Sequence, residues 1–262
     1  MKITCIQMDM EFCNPSENYK KAKKLVAQAM DGKPDVIVLP EMWNTGFFPH
    51  ENLEALSDRD GEETKKVFGA LSKEYGVNIV AGSFANVKDA KVWNTACIFD
   101  REGECIAEYD KTHLFTPMDE DGFFEKGSHL CRFSLDSNSC GIIICYDIRF
   151  PELTRSLTLD GLDFLFVVAQ WPDIRIPHLD TLSRARAIEN QMFVVTCNSC
   201  GKAGATTYGG NSVIYDPWGE MLAKAGSEEE IISAECDVSI LSGIRESINV
   251  FRDRRAEIYN IK

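Results

Sequence analysis

Two stretches of this chain, Val36-Ile37-Val38-Leu39 and Phe164-Leu165-Phe166-Val167-Val168, are apolar without interruption over the length of a strand. A strand with one face in water alternates apolar and polar residues. A run that does not alternate belongs to a strand covered on both faces. Such strands need a packed layer on each side, which restricts the chain to layered architectures. The intervening sequence supplies the covering helices. Asn14-Pro15-Ser16-Glu17 reads as a helix N-terminus, and Ala22, Leu25, Val26 and Ala29 then fall on one helical face. Residues 61–75, 151–160 and 178–192 are further helix candidates. Apolar runs of strand type also occur at Ile3–Met8, Val77–Ala81, Thr95–Phe99, Cys105–Tyr109, Ile142–Cys145, Phe193–Cys197, Ser212–Tyr215 and Ile231–Ala234. Arg101-Glu102-Gly103 reads as a hairpin. Strands alternating with helices predict a layered α/β fold. With no Pro/Gly/Ser-rich linker and no repeat, the 262 residues read as one domain.

Charge and cysteine usage exclude several function classes. The net charge is -13 and no Lys/Arg cluster stands out, which argues against a phosphate-backbone partner. Asp9 and Glu11 interrupt any apolar segment near the N-terminus, so no secretory signal is expected. The longest apolar run, Phe164 to Ala169, is too short to span a bilayer. A cytoplasmic location follows, with the ten cysteines as reduced thiols.

Three reactive side chains stand at the ends of apolar runs. In CGIIICYDIRFPELTR, residues 140–155, a strand ends in Cys145, and Phe150-Pro151-Glu152 starts a helix. A strand, a tight turn and a helix are the elements of a nucleophile elbow, and a helix N-terminus favours a thiolate or an oxyanion. A buried structural cysteine would read the same. A nucleophilic thiol needs a base. None of the four histidines, His50, His113, His129 and His178, sits in a papain-type signature. Glu41, in DVIVLPEMW, follows a buried strand ended by Pro40, and a buried carboxylate is a competent base. Lys111 closes an alternating run in which Cys105, Ala107, Tyr109 and Lys111 share one core-directed face. An exposed glutamate and a surface lysine are the ordinary alternatives.

The order Glu41, Lys111, Cys145, with LPEMWNTGF, YDKTHLF, CYDIRFPE, AQWP, RARAIENQ and DPWGE, resembles the nitrilase, or carbon–nitrogen hydrolase, superfamily. KTHLFTPMDE and WPDIRIPH make the omega-amidase branch the nearest likeness. The resemblance implies a four-layer α-β-β-α sandwich, a Glu-Lys-Cys triad, and no metal or organic cofactor. It implies that Glu120 is a second glutamate supporting Lys111 or the substrate nitrogen. Trp171 is expected to line the pocket, with ordinary core packing as the alternative. Arg175, which matches an arginine of the resembling branch, is expected to bind a substrate carboxylate, with a surface loop arginine as the alternative. The backbone N–H of Tyr146 and the Lys111 ammonium would meet the oxyanion of a Cys145 thioester pathway. The implied partner is a small carboxamide, specifically a 2-oxo acid monoamide such as 2-oxoglutaramate. A homodimer or larger homo-oligomer is implied, with the tail from about 245 to 262 at the interface.

Other readings of the same residues remain open. They are an N-carbamoyl amine hydrolase, a nitrilase, a papain-like hydrolase using His113 or His178, and an inert binding protein on the same fold. Cys197 and Cys200 form a Cys-x-x-Cys without a second matching pair, so a structural role is expected of them. Arg149 is expected to pair with Asp147 or Glu152. In RARAIENQ, a helix with buried Ala and Ile and an ion-paired polar face is expected. Asn198-Ser199 stands where the family often has Asn-Arg, and Leu179 where a tryptophan often follows the histidine, so the pocket wall is expected to differ there.

Overall fold

The computed structural model describes residues 1–47 and 51–259; His50 and the last three residues of the tail lie outside them. The strands are β1 (Lys2–Gln7), β2 (Val36–Val38), β3 (Asp58–Arg59), β4 (Asn78–Lys88), β5 (Lys91–Phe99), β6 (Cys105–Asp110), β7 (Arg132–Leu135), β8 (Asn138–Ile144), β9 (Phe164–Ala169), β10 (Phe193–Asn198), β11 (Cys200–Ala203), β12 (Thr206–Gly209), β13 (Val213–Tyr215), β14 (Met221–Lys224) and β15 (Glu230–Glu235). The α-helices are α1 (Pro15–Ala29), α2 (Leu53–Leu56), α3 (Glu62–Tyr75), α4 (Pro151–Thr158), α5 (Ile176–Asn190) and α6 (Ile240–Ser247).

The strands form two large sheets. One runs β15-β1-β2-β4-β5-β6, with β3 beside β4, and the other runs β14-β13-β10-β9-β8-β7. Strands β11 and β12 make a separate hairpin. The runs that do not alternate lie inside these sheets. Val36 and Val38 of β2 enter the core shared with the second sheet, while Ile37 and Leu39 enter the core beneath α1 and α3. Helices α4 and α5 cover the outer face of the second sheet through Leu157, Leu179 and Ala187. The result is a four-layer α-β-β-α sandwich.

Each apolar run singled out above lies in a strand to within one residue at its ends, and the helices match within a few residues. Asn14 caps α1 by accepting from the Glu17 N–H at 3.3 Å. One face assignment fails. Cys105 packs on the helix side, whereas Ala107 and Tyr109 face the other sheet. A bulge causes this: Ile98 pairs with Ala107 but Phe99 pairs with Cys105, and the extra residue reverses the face. Ile188 of α5 is exposed rather than buried, and Arg186 is buried in its place. The reason is a polar task, since Arg186 donates to the Ile148 carbonyl at 2.7 Å. Leu179 packs into the core and does not line the pocket described next.

Candidate active site

Ends of strands from both large sheets meet at one place. The Glu41 N–H, just past β2, donates to the Ala169 carbonyl at the end of β9 at 3.3 Å. The Gln170 N–H returns a bond to Glu41 Oε2 at 2.8 Å. Cys145 directly follows β8 with a φ of +48°, in the left-handed region that residues with a Cβ seldom adopt. A 3₁₀ turn over Cys145–Arg149 follows, and α4 starts only at Pro151. The strand, tight turn and helix start at Pro151 are as expected, and the turn sets the helix N-terminus apart from the thiol. The turn is held from two sides. Buried Asp147 accepts from the Ile144 N–H at 3.0 Å, the Tyr109 hydroxyl at 2.8 Å and the His113 N–H at 2.9 Å. Arg186 holds it from α5.

Glu41, Lys111 and Glu120 are all 0% exposed. Lys111 Nζ donates to Glu41 Oε1 at 2.8 Å and reaches both Glu120 oxygens at 2.9 Å. Glu120 is anchored in turn by the Phe115 N–H at 2.6 Å. Burial alone works against the ammonium, but Glu120 and Glu41 more than reverse that and hold Lys111 well above its ordinary pKa. Burial also raises the Glu120 carboxyl, opposed by Lys111. The Cys145 thiol is raised well above its usual value, first by burial and then by the Glu41 carboxylate, with Lys111 opposing. Both effects favour the neutral thiol at Cys145, not the thiolate a helix N-terminus would favour.

Above this cluster is a pocket with about 350 Å³ of space not filled by protein, part of it open to solvent. Lys111, Cys145 and Tyr146 line it, as do Trp171 and Arg175. Glu41 and Glu120 lie behind the lining. Trp171 is fixed by its indole N–H on the Arg175 carbonyl at 2.8 Å and its backbone N–H on Asn198 Oδ1 at 2.7 Å. Arg175 stacks over Phe115 at 5.2 Å. Arg149 pairs with no acid among the described residues. It stacks over Trp171 at 4.7 Å, lines the pocket and donates to His178 Nδ1 at 3.3 Å. The expected Arg149–Asp147 pair fails because Asp147 already accepts from Ile144, Tyr109, Thr112 and His113.

Neither His113 nor His178 lines the pocket. His113 Nδ1 lies 2.8 Å from Asp147 Oδ1, and its ring stacks on Phe150 at 3.7 Å. Cys197 donates to the Ile6 and Val38 carbonyls, and burial raises both it and Cys200. That is a structural environment. Cys97, Cys105 and Glu108 place ligand atoms within 4.8 Å of one another on the helix side of the first sheet. Glu108 already pairs with Lys65 at 2.8 Å, and the group lies outside the pocket lining. Sequence reasoning missed Asn94, which bonds to both buried glutamates, and the pocket walls Phe115 and Tyr208. Asn94 sits inside a strand, so no strand-end signal marked it.

Comparison with known proteins gives a consistent result. The carbon–nitrogen hydrolase family model matches residues 2–246. A 2-oxoglutaramate amidase of Bacillus subtilis is 45% identical over 257 residues, covering 98% of each chain. An omega-amidase of Xenopus tropicalis is 33% identical over 260 residues, covering 94% of this chain and 92% of its own. The solved structure of Nit3 from Saccharomyces cerevisiae, a member of branch 10 of the nitrilase superfamily, superposes with a TM-score of 0.90. It shares 25% identity and covers 97% of this chain and 96% of its own.

Proposed function

This chain belongs to the carbon–nitrogen hydrolase family, and on that premise we propose that it is an omega-amidase acting on 2-oxo acid monoamides such as 2-oxoglutaramate. The carrying observation is the buried Glu41–Lys111–Glu120 cluster against a pocket whose floor is Cys145. A thiol kept neutral by burial gains from a base beside it, and Glu41 takes that role in this reading. Glu41 takes the thiol proton as sulfur attacks the amide carbon. The oxyanion is met by Lys111 and the Tyr146 N–H. One Lys111 N–H shared between the two Glu120 oxygens and one given to Glu41 leave a third for that oxygen. As the C–N bond breaks, Glu41 gives its proton to the departing nitrogen, and ammonia leaves a thioester on Cys145. Water then loses a proton to Glu41, attacks the thioester, and releases the acid and the thiol. Glu120 holds Lys111 from behind the pocket lining.

The substrate class rests on the 45%-identical relative and on two cations. A protein of net charge -13 repels an anion at long range, so a 2-oxo acid needs local positive charge. Arg175 and Arg149 supply it, and neither is in an ion pair among the described residues. A guanidinium suits a carboxylate bidentately. Arg175→Ala should raise KM for 2-oxoglutaramate roughly tenfold or more, the worth of a hydrogen bond to a charged group. KM for a neutral short amide should change by less than about threefold. Ammonia release across a panel of amides, nitriles and N-carbamoyl amines tests the whole reading. Faster turnover of a nitrile or an N-carbamoyl amine than of any oxo-acid amide overturns it.

We also propose a homodimer or larger homo-oligomer. Ile248, Ile258 and Tyr259 near the C-terminus are exposed, and Arg155 stacks over Phe251 at 5.0 Å. Sedimentation should give a multiple of the 29.4 kDa chain mass. A monomer mass at all concentrations rules this out.

A further inference from the structure

We propose that Asn94 is a positioning residue for the two buried carboxylates, its amide bridging Glu41 and Glu120 so that Glu41 stays available as the base. The inference rests on the amidase reading and deepens it. Asn94 lies within β5 and is 0% exposed. Its Nδ2 donates to Glu41 Oε1 at 2.9 Å and to Glu120 Oε1 at 3.3 Å. Its backbone carbonyl accepts from the Lys111 N–H at 3.0 Å. One residue thus touches all three charged members of the cluster. It does not line the pocket.

The other end of the amide explains why this is more than packing. Asn94 Oδ1 is buried with no hydrogen-bond partner among the described residues. A buried, unpaired amide oxygen is costly. Flipping the amide would not relieve it, because the carbonyl would then face two carboxylate oxygens. The acids therefore dictate the orientation, and the orphaned oxygen is its consequence. An apolar side chain of the same shape would avoid that cost but offer the carboxylates nothing.

Two carboxylates that reach the same ammonium resist joint ionisation, and each hydrogen bond to the charged form counters that resistance. The groups facing the pair are Lys111 from the end of β6, Cys145 from the turn after β8 and Tyr208 from β12. Lys111 is the only cation among these. Without the amide, the pair should keep a shared proton to higher pH, titrating as one unit. A base that already holds a proton cannot take one from Cys145.

The experiment compares the wild type with Asn94→Leu. It measures the pH dependence of kcat/KM for 2-oxoglutaramate and of iodoacetamide alkylation, mapped to Cys145 by peptide mass spectrometry. In Asn94→Leu, kcat/KM should fall between about ten- and a hundredfold, the worth of hydrogen bonds to charged groups. KM should stay within about twofold, and the acid limb of both profiles should move up by about one pH unit. An acid limb that stays in place overturns the proposal, whatever happens to the rate, because lost packing alone would not retitrate the pair. Where Asn94→Leu does not fold, Asn94→Asp carries the same test, since a third carboxylate should also drive the limb upward. The alkylation profile needs no turnover. If the wild type hydrolyses no amide, the amidase reading fails while the alkylation limb still decides the role of Asn94.

Discussion

Replacing Cys145 with alanine should abolish amide turnover and leave the fold standing. The expected loss is about 10⁴-fold or more, the scale of deleting a covalent nucleophile. No other thiol can substitute. Cys197 and Cys200, the nearest alternative motif, donate to backbone carbonyls inside the sheet and lie outside the pocket lining. The fold should survive because the change removes one sulfur from a site that opens onto a pocket. Alanine keeps a Cβ at the same positive φ, so the backbone strain is common to both proteins. Intact-protein mass spectrometry of quenched reactions should show an acyl adduct on the wild type and none on Cys145→Ala. An adduct mapping to Cys197 or Cys200 would refute the assignment.

Lys111→Met should damage activity and stability together. It leaves Glu41 and Glu120 buried at 0% exposure with no cation between them. Removing one member of a buried ion pair costs about 3–5 kcal/mol, because the remaining charge is uncompensated. The carboxylates would respond by holding protons, which disables the base. Losing the oxyanion donor adds about 10²–10³ in rate, so kcat/KM should fall by at least that factor. The sign of the pH effect follows from the Glu120 carboxyl, raised by burial even beside Lys111. A carboxyl raised above its unfolded value binds more protons when folded. Stability is then lost as pH rises from the ordinary carboxylate range through the raised value. In Lys111→Met that loss should steepen, and chemical denaturation at several pH values reads it. Lys111→Met combined with Glu120→Gln should recover part of the stability and none of the activity. Recovery of both would mean that Lys111 only balances charge. Near-wild-type kcat/KM in Lys111→Met would remove it from the mechanism.

The layered fold was legible because its signal is local. Runs such as Val36–Leu39 have no polar face to give to water, so they announce two covering layers whatever the register. The strands that escaped notice carry little of that signal. Strand β7 is partly exposed, β14 is largely exposed, and β11 and β12 are short and interrupted by glycine. At the site, Glu41, Lys111 and Cys145 stood out because each ends an apolar run, and a polar group there has to be satisfied or used.

What the sequence determined by itself was the order of elements, the two-sided burial and the three reactive groups at strand ends. Tertiary structure alone decided three further things. It chose the partners of Arg149, because the Ile144 N–H and the Tyr109 hydroxyl and His113 N–H from another part of the chain occupy Asp147 and leave the arginine to Trp171 and the pocket. It reversed the face of Cys105, because a bulge is set by the pairing of two strands and not by either alone. It also brought Asn94 between two glutamates, 53 and 26 residues away in sequence. A hydrogen bond depends on where atoms are in space, and spacing along the chain carries no record of that when the partners lie on different strands and loops.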